Sequence, residues 1–151
     1  MKQLAIRVAL AIGMGILPAA VAAQHGSEQE GVRRAALDYL EGFYEGDADK
    51  IRRGVHPEVT KYGFFVPRDK QEYSGEPMSF QEMLDYANGV KERGNHPDAS
   101  APKEVIILDV LDQTAAAKVV AWWGTDYLHL AKYDGQWKII QVLWQTRPPG
   151  H

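Results

Sequence analysis

Apolar side chains along this chain change their period near residue 103. Before it they recur every three or four residues; after it they alternate with polar ones. Val32, Ala36, Tyr39, Leu40 and Phe43 fall on one stripe of a helix, with Arg33, Arg34, Asp38 and Glu41 off it. Ser27-Glu28-Gln29-Glu30 has the form of a capping box at its start, and Gly46 is a good stop. Asp47 suits the cap of a short second helix through Ile51 to Arg53. His56-Pro57 ends that helix, because the residue before proline is pushed out of the α region. Thr60 to Val66 predicts one short strand. Pro67 to Pro77, with two Pro, a Gly and five charges, predicts a surface loop. A second capping box, Ser79 to Glu82, opens a third helix with Phe80, Met83, Leu84, Ala87 and Val90 on its apolar face and an end near Gly94.

From Lys103 onward the pattern is β. Glu104 to Leu111 and Ala115 to Trp122 are two strands joined at Asp112-Gln113, and Gly124 breaks the run. Two more strands then flank Asp134-Gly135, a strong short-range hairpin signal. Helices first and strands after is an α+β arrangement rather than a repeat of βαβ units. A two-residue turn pairs Tyr133 with Gln136, and counting outward places Leu130 opposite Ile139, Leu128 opposite Gln141 and Asp126 opposite Leu143. Asp126, Leu128, Leu130, Trp137, Ile139, Gln141 and Leu143 then share one face, the inner one. Tyr127, His129, Ile140, Val142 and Trp144 share the other. That second face is a large apolar patch to leave wet, which points to a homodimer. A longer turn would exchange the faces and bring Tyr127 and His129 inside.

The chain has 151 residues, enough for one domain. Lys2 and Arg7, an apolar run from Val8 to Val21 and the small residues Val21-Ala22-Ala23 make a secretory signal peptide, residues 1–23, with cleavage near Ala23. The mature chain, 24–151 with a core of about 27–146, is then expected in the periplasm or outside the cell, with no membrane association after cleavage. Removing residues 1–23, which carry two bases and no acids, takes the net charge from −3 to −5. A mildly acidic chain with interspersed signs is poor material for binding nucleic acid. There is no Cys, hence no disulfide framework, and the five His have no metal-ligand spacing; no metal or cofactor is expected.

Two polar residues interrupt the inner face, Asp126 and Gln141. A buried carboxylate is usually paired or functional. Asp126 and His56 are the candidate bases, with Tyr39 and Tyr62 as candidate hydrogen-bond donors. An acid–base pair of this kind suits proton abstraction beside a carbonyl. Each also has a quieter explanation, His56 as a helix-ending residue and Tyr39 as core. The five Trp and Tyr from Trp122 to Trp137 can stack a flat ligand or simply pack.

Three segments carry a family resemblance: Leu37-Asp38-Tyr39-Leu40-Glu41-Gly42-Phe43-Tyr44-Glu45-Gly46-Asp47-Ala48, His56-Pro57-Glu58 with Lys61, and Asp126 to Leu130 followed by Asp134 to Ile140. Together they resemble the branch of the nuclear transport factor 2-like (SnoaL-like) superfamily designated "putative lumazine-binding", over most of residues 30–146 and least from Tyr62 to Pro102. The resemblance implies a cone, a curved antiparallel sheet wrapped round the N-terminal helices, with a pocket at its open end and frequent dimerisation. Fold alone does not carry function. In such a cone the pocket wall would come from Tyr39, Phe43, Tyr44, His56, Asp126, Leu128, Trp137, Gln141 and Leu143. The expectation is an exported protein binding a small organic ligand. The alternatives are an isomerase, dehydratase or cyclase using Asp126 or His56, and a non-catalytic dimeric assembly domain.

Overall fold

The computed structural model describes residues 18–148, with side chains from His25 onward. The expected leader lies outside these residues, apart from the backbone of 18–23. Helix α1 runs Pro18–Glu45. It passes straight through Ser27, so the Ser27–Glu30 box does not begin it. The alanine-rich stretch after Pro18 is strongly helix-forming, and Pro is well tolerated in a first turn, which extends the helix upstream. Helix α2, Ala48–Gly54, has the expected cap: the Asp47 carboxylate accepts from the amides of Asp49 and Lys50 at 2.9 and 3.2 Å.

Strand β1 is Val55–Phe65, starting five residues before the expected Thr60. Its parallel pairing with the last strand is irregular between Val55 and Thr60, and Pro57, which has no N–H to give, sits in that gap. The expected loop after it contains a short strand, β2, Ser74–Pro77, antiparallel to β1. Helix α3, Phe80–Arg93, has both halves of its capping box, and Gly94 ends it at φ 61°. Four strands follow: β3 Glu104–Val110, β4 Thr114–Ala121, β5 Gly124–Tyr133 and β6 Gln136–Gln145. The sheet order is β2-β1-β6-β5-β4-β3. The sheet is mixed, since β1 and β6 run parallel while every other neighbour is antiparallel. It curves around α1 without closing, the α+β cone expected from the sequence. Ala115, Ala117 and Ala121 on the inner face of β4 are small and buried, which lets α1 lie close to that strand.

The β5–β6 turn has two residues, Asp134 and Gly135, at φ 49° and 76°. Both signs are positive, as a type I′ turn requires, and Leu130 does face Ile139. One rung later the register slips. Ile140 is an extra residue, so His129 pairs with Gln141, Leu128 with Val142 and Asp126 with Trp144. The bulge increases the local bend and twist that the curved sheet needs. It also reverses every assignment beyond it on β6. Gln141 and Leu143 face outward and are exposed, whereas Val142 is fully buried and Trp144 packs against the core. Neither Val142 nor Trp144 can therefore belong to an outer dimer face, and neither Gln141 nor Leu143 to an inner pocket.

Candidate functional site

Beyond the bulge, β5 carries Asp126 into the interior, where it is wholly buried. Tyr39, in the C-terminal part of α1, donates its hydroxyl to Asp126 Oδ2 at 2.5 Å. Trp123, in the turn between β4 and β5, donates Nε1–H to Oδ1 at 2.6 Å. Lys61 completes the chain by donating from Nζ to the Tyr39 hydroxyl oxygen at 2.8 Å. The order is Lys61 to Tyr39 to Asp126, with donors running one way and both carboxylate oxygens accepting.

Lys61 is inside because β1 presents Lys61 and Gly63 inward and Tyr62 and Phe64 outward. Gly63 pairs with Trp144, whose indole lies across it so closely that any Cβ would overlap the ring. That indole and two other aromatic rings cover the ammonium: Nζ is 4.8 Å from the Phe43 ring centre, 5.1 Å from Tyr39 and 5.9 Å from Trp144. Among the described residues Lys61 makes no direct ion pair; the charge of Asp126 reaches it only across Tyr39.

Burial dominates the proton affinities. It raises the Asp126 carboxyl above its ordinary 3.8, against the opposing Lys61 charge and the bonds from Tyr39 and Trp123. It lowers Lys61 from 10.5 to about 8, the Asp126 charge opposing. Burial, with the adjacent carboxylate, pushes Tyr39 well above 10.0, so its phenol keeps its proton.

A cavity of about 500 Å³ opens beside this chain, walled mainly by Phe43, Lys61, Tyr86, Trp122, Trp123 and Trp144. Its volume is on the scale of small-molecule sites, roughly 300–1,000 Å³. Another concavity, of about 470 Å³, lies between α1 and β3 against His25, Gln29, Arg33 and Asp109. All of those ionisable side chains are exposed, so the chemistry points to the first cavity.

Tyr39, Phe43 and Asp126 meet at the cavity or directly behind it. Tyr44 stands one step away. Its hydroxyl donates to the Pro102 carbonyl and accepts from the Trp122 amide at 2.9 Å, which props the turn bearing Trp122 and Trp123. The other expected wall residues lie elsewhere. Leu128 is core. Trp137 is at the hairpin-turn end, where Nε1 donates to Glu28 at 2.8 Å and Gly31 of α1 makes room for its ring. His56 stacks on Tyr133 at 4.3 Å and its Nδ1 accepts from the Glu58 amide, off the cavity. Gln141 pairs with His129 at 2.7 Å on the outer face, next to Leu143. Tyr62 is also outside, 40% exposed. Reading the sequence missed Lys61 as a site residue, and with it Trp122, Trp123, Trp144 and Tyr86. Gly63 was the available signal: a glycine inside an aromatic strand marks a close approach, and its even-numbered neighbours must then face away.

Comparison with known proteins agrees with this architecture. An Aldolase FrzH from Cladobotryum sp is 24% identical over 124 residues, covering 81% of this chain and 94% of that protein. An NTF2-like protein of unknown function from Shewanella baltica superposes with a TM-score of 0.60 at 23% identity, covering 82% of this chain and 97% of its own. An NTF2-like protein with a cystatin-like fold from Novosphingobium aromaticivorans superposes at 0.59 with 12% identity, covering 91% and 92%. These two likenesses establish the fold and nothing finer. The profile of the family described as "Putative lumazine-binding" matches residues 27–145, and with most of its length inside that match this chain belongs to that family of nuclear transport factor 2-like proteins.

Proposed function

We propose that this protein binds a small, flat organic molecule bearing a carbonyl group in the aromatic cavity, with Lys61 meeting the carbonyl oxygen. Lys61 carries the reading. It is a buried ammonium at the wall of a cavity of ligand size, it lies among aromatic rings, and a tyrosine hydroxyl is its one hydrogen-bond partner among the described residues. A neutral acceptor group is what such a donor lacks. The family description supports the same ligand class, since lumazine is a flat bicyclic dione. Titration with lumazine tests it: saturable quenching of the Trp122, Trp123 and Trp144 emission is expected, and weakened in Lys61→Met. A response no greater than optical absorption by lumazine overturns it.

A second reading is acid–base catalysis beside a carbonyl. The buried Asp126 carboxylate, hydrogen-bonded to the Tyr39 hydroxyl beside the cavity, favours it, and the aldolase relative supports it. His56, turned away from the cavity, plays no part in either reading. A purely structural assembly domain would have no use for an open aromatic cavity.

The protein works as an exported homodimer in this proposal. Tyr62, Leu143 and Tyr127 stand side by side across β1, β6 and β5 on the outer face, each 40–52% exposed, and His129 adjoins them. That patch replaces the one expected from the sequence, retaining Tyr127 and His129 and losing Val142 and Trp144. Sedimentation of the mature protein at dimer mass, reduced to monomer by Leu143→Lys, tests the dimer. N-terminal sequencing that begins at Gln24 tests export.

A further inference from the structure

We propose that Lys61 is a covalent site: its amine condenses with an aromatic or conjugated aldehyde or ketone held in the cavity, forming an imine, with Tyr39 and Asp126 carrying the protons. The inference rests on the cavity being a carbonyl site and adds a bond to it.

Three features of the structure point this way. Lys61 Nζ faces the cavity over Phe43, itself a wall residue, so a carbonyl carbon lying on that ring comes within reach of the nitrogen. No carboxylate binds the ammonium directly among the described residues, so nothing anchors the proton to nitrogen as an ion pair does. The hydrogen bonds run from Nζ to the Tyr39 oxygen and from the Tyr39 hydroxyl to Asp126. A proton can therefore leave nitrogen for the Tyr39 oxygen while the phenolic proton moves to the carboxylate, and Tyr39 is neutral before and after.

The steps balance without a further reagent. The ammonium gives one proton through Tyr39 to Asp126 and becomes a free amine. Its lone pair attacks the carbonyl carbon, the C=O π pair moves to oxygen, and transfer of a proton from nitrogen to that oxygen gives a carbinolamine. The proton stored on Asp126 returns through Tyr39 to the hydroxyl, which leaves as water while nitrogen forms the double bond. Overall an ammonium and a carbonyl become a protonated imine and one water. Burial favours the free amine, and the lowered proton affinity of Lys61, about 8, agrees with that. At pH 7 such a lysine carries roughly 300-fold more free amine than one at the ordinary 10.5.

Trapping tests this on the full-length wild-type protein. The probe is 2-naphthaldehyde with sodium cyanoborohydride, which delivers hydride to an imine carbon and fixes it as a secondary amine. Peptide mapping then reports the residue modified. The expected result is one dominant adduct on Lys61, formed at least ~15-fold faster at pH 7 than on exposed lysines such as Lys70 and Lys91, allowing for the weaker nucleophilicity of a less basic amine. Its rate should rise with pH to a midpoint near 8. Lys61→Arg, which keeps the charge, should abolish that adduct and leave the rest. Saturable tryptophan quenching by naphthaldehyde with Lys61 unmodified overturns the imine and leaves the binding site standing. Neither quenching nor a Lys61 adduct overturns both, and adducts spread evenly over surface lysines overturn the imine.

Discussion

At the hairpin-turn end of the sheet, Trp137 gives its indole proton to Glu28, and Lys132 meets the same carboxylate at 2.6 Å while lying 5.0 Å above the Trp137 ring. Near the opposite end, Trp123 gives its indole proton to Asp126, and Lys61 lies over aromatic rings but reaches the carboxylate only through Tyr39. An indole, an acid and a lysine are thus assembled twice. The solvent-edge assembly holds Glu28 below its ordinary 4.5, chiefly through the hydrogen bond from Lys132. The buried assembly holds Asp126 above its ordinary 3.8, chiefly through loss of water. Residue types alone do not set the behaviour. Water does: where it remains, the ion pair closes and fastens α1 to the sheet; where it is excluded, the charges are kept apart by a phenol and form no direct ion pair.

Removing the acid of the buried assembly is the harshest way to test the contrast. Asp126→Ala strips the acceptor from the Tyr39 hydroxyl and the Trp123 indole and leaves the Lys61 charge uncompensated. About 3–5 kcal/mol should be lost in urea unfolding at pH 7. A loss under ~1 kcal/mol would mean that water fills the place and that the two ends are alike.

The next effect belongs to Lys61 and depends on pH. Its proton affinity is about 8 when folded against an ordinary 10.5. Below pH 8 both folded and unfolded chains hold the proton, so burying the charge costs the fold its full penalty. Between 8 and 10.5 only the unfolded chain keeps it, and the penalty disappears as pH rises. Wild-type stability, measured against Lys61→Met to cancel other groups, should therefore climb by about 3 kcal/mol across that window. A flat difference would place water beside Nζ and undo the distinction.

At the other end, packing should outweigh charge. A Cβ on Gly31 would sit 2.6 Å from Trp137 Cδ1. Gly31→Ala should push the indole off Glu28 and lower stability by about 1–3 kcal/mol, with a blue-to-red change in Trp137 emission as the ring is released to water. Smallest of all is Glu28→Gln, which keeps the acceptor and removes the charge. Its effect at neutral pH should be slight, and it should remove the stability that wild type loses as pH falls through the lowered Glu28 value. Carboxyl NMR titration should show Glu28 below 4.5 and Asp126 above 3.8; a shift of either group in the opposite direction would break the comparison.

Local chemistry explains which parts of this were legible in the sequence. The Asp134-Gly135 turn, the Asp47 cap and the Ser79–Glu82 box each depend on a few adjacent residues, and each forms as their spacing predicts. The bulge at Ile140 answers instead to the curvature of the whole sheet. Ile139 and Ile140 are both apolar, so alternation across them is silent about the slip. Asp126 could be placed inside because it is counted along β5, ahead of any error. Gln141 and Leu143 were misplaced because they are counted along β6, through it. Lys61 was hidden for a different reason. Aromatic Tyr62 and Phe64 look like the buried side of β1, and against them the sequence offers only Gly63, whose meaning becomes plain once the Trp144 indole is seen lying on it.

The missing side chain at Gly63 also makes Trp144 an adjustable wall. No Cβ on the facing strand would close the gap if the indole were shortened, so successive replacements of Trp144 by Phe, Leu and Ala should enlarge the chamber stepwise. The Lys61–Tyr39–Asp126 chain, hung from β1, α1 and β5, would stay in place, which leaves ligand size and proton chemistry as separately tunable properties of one scaffold.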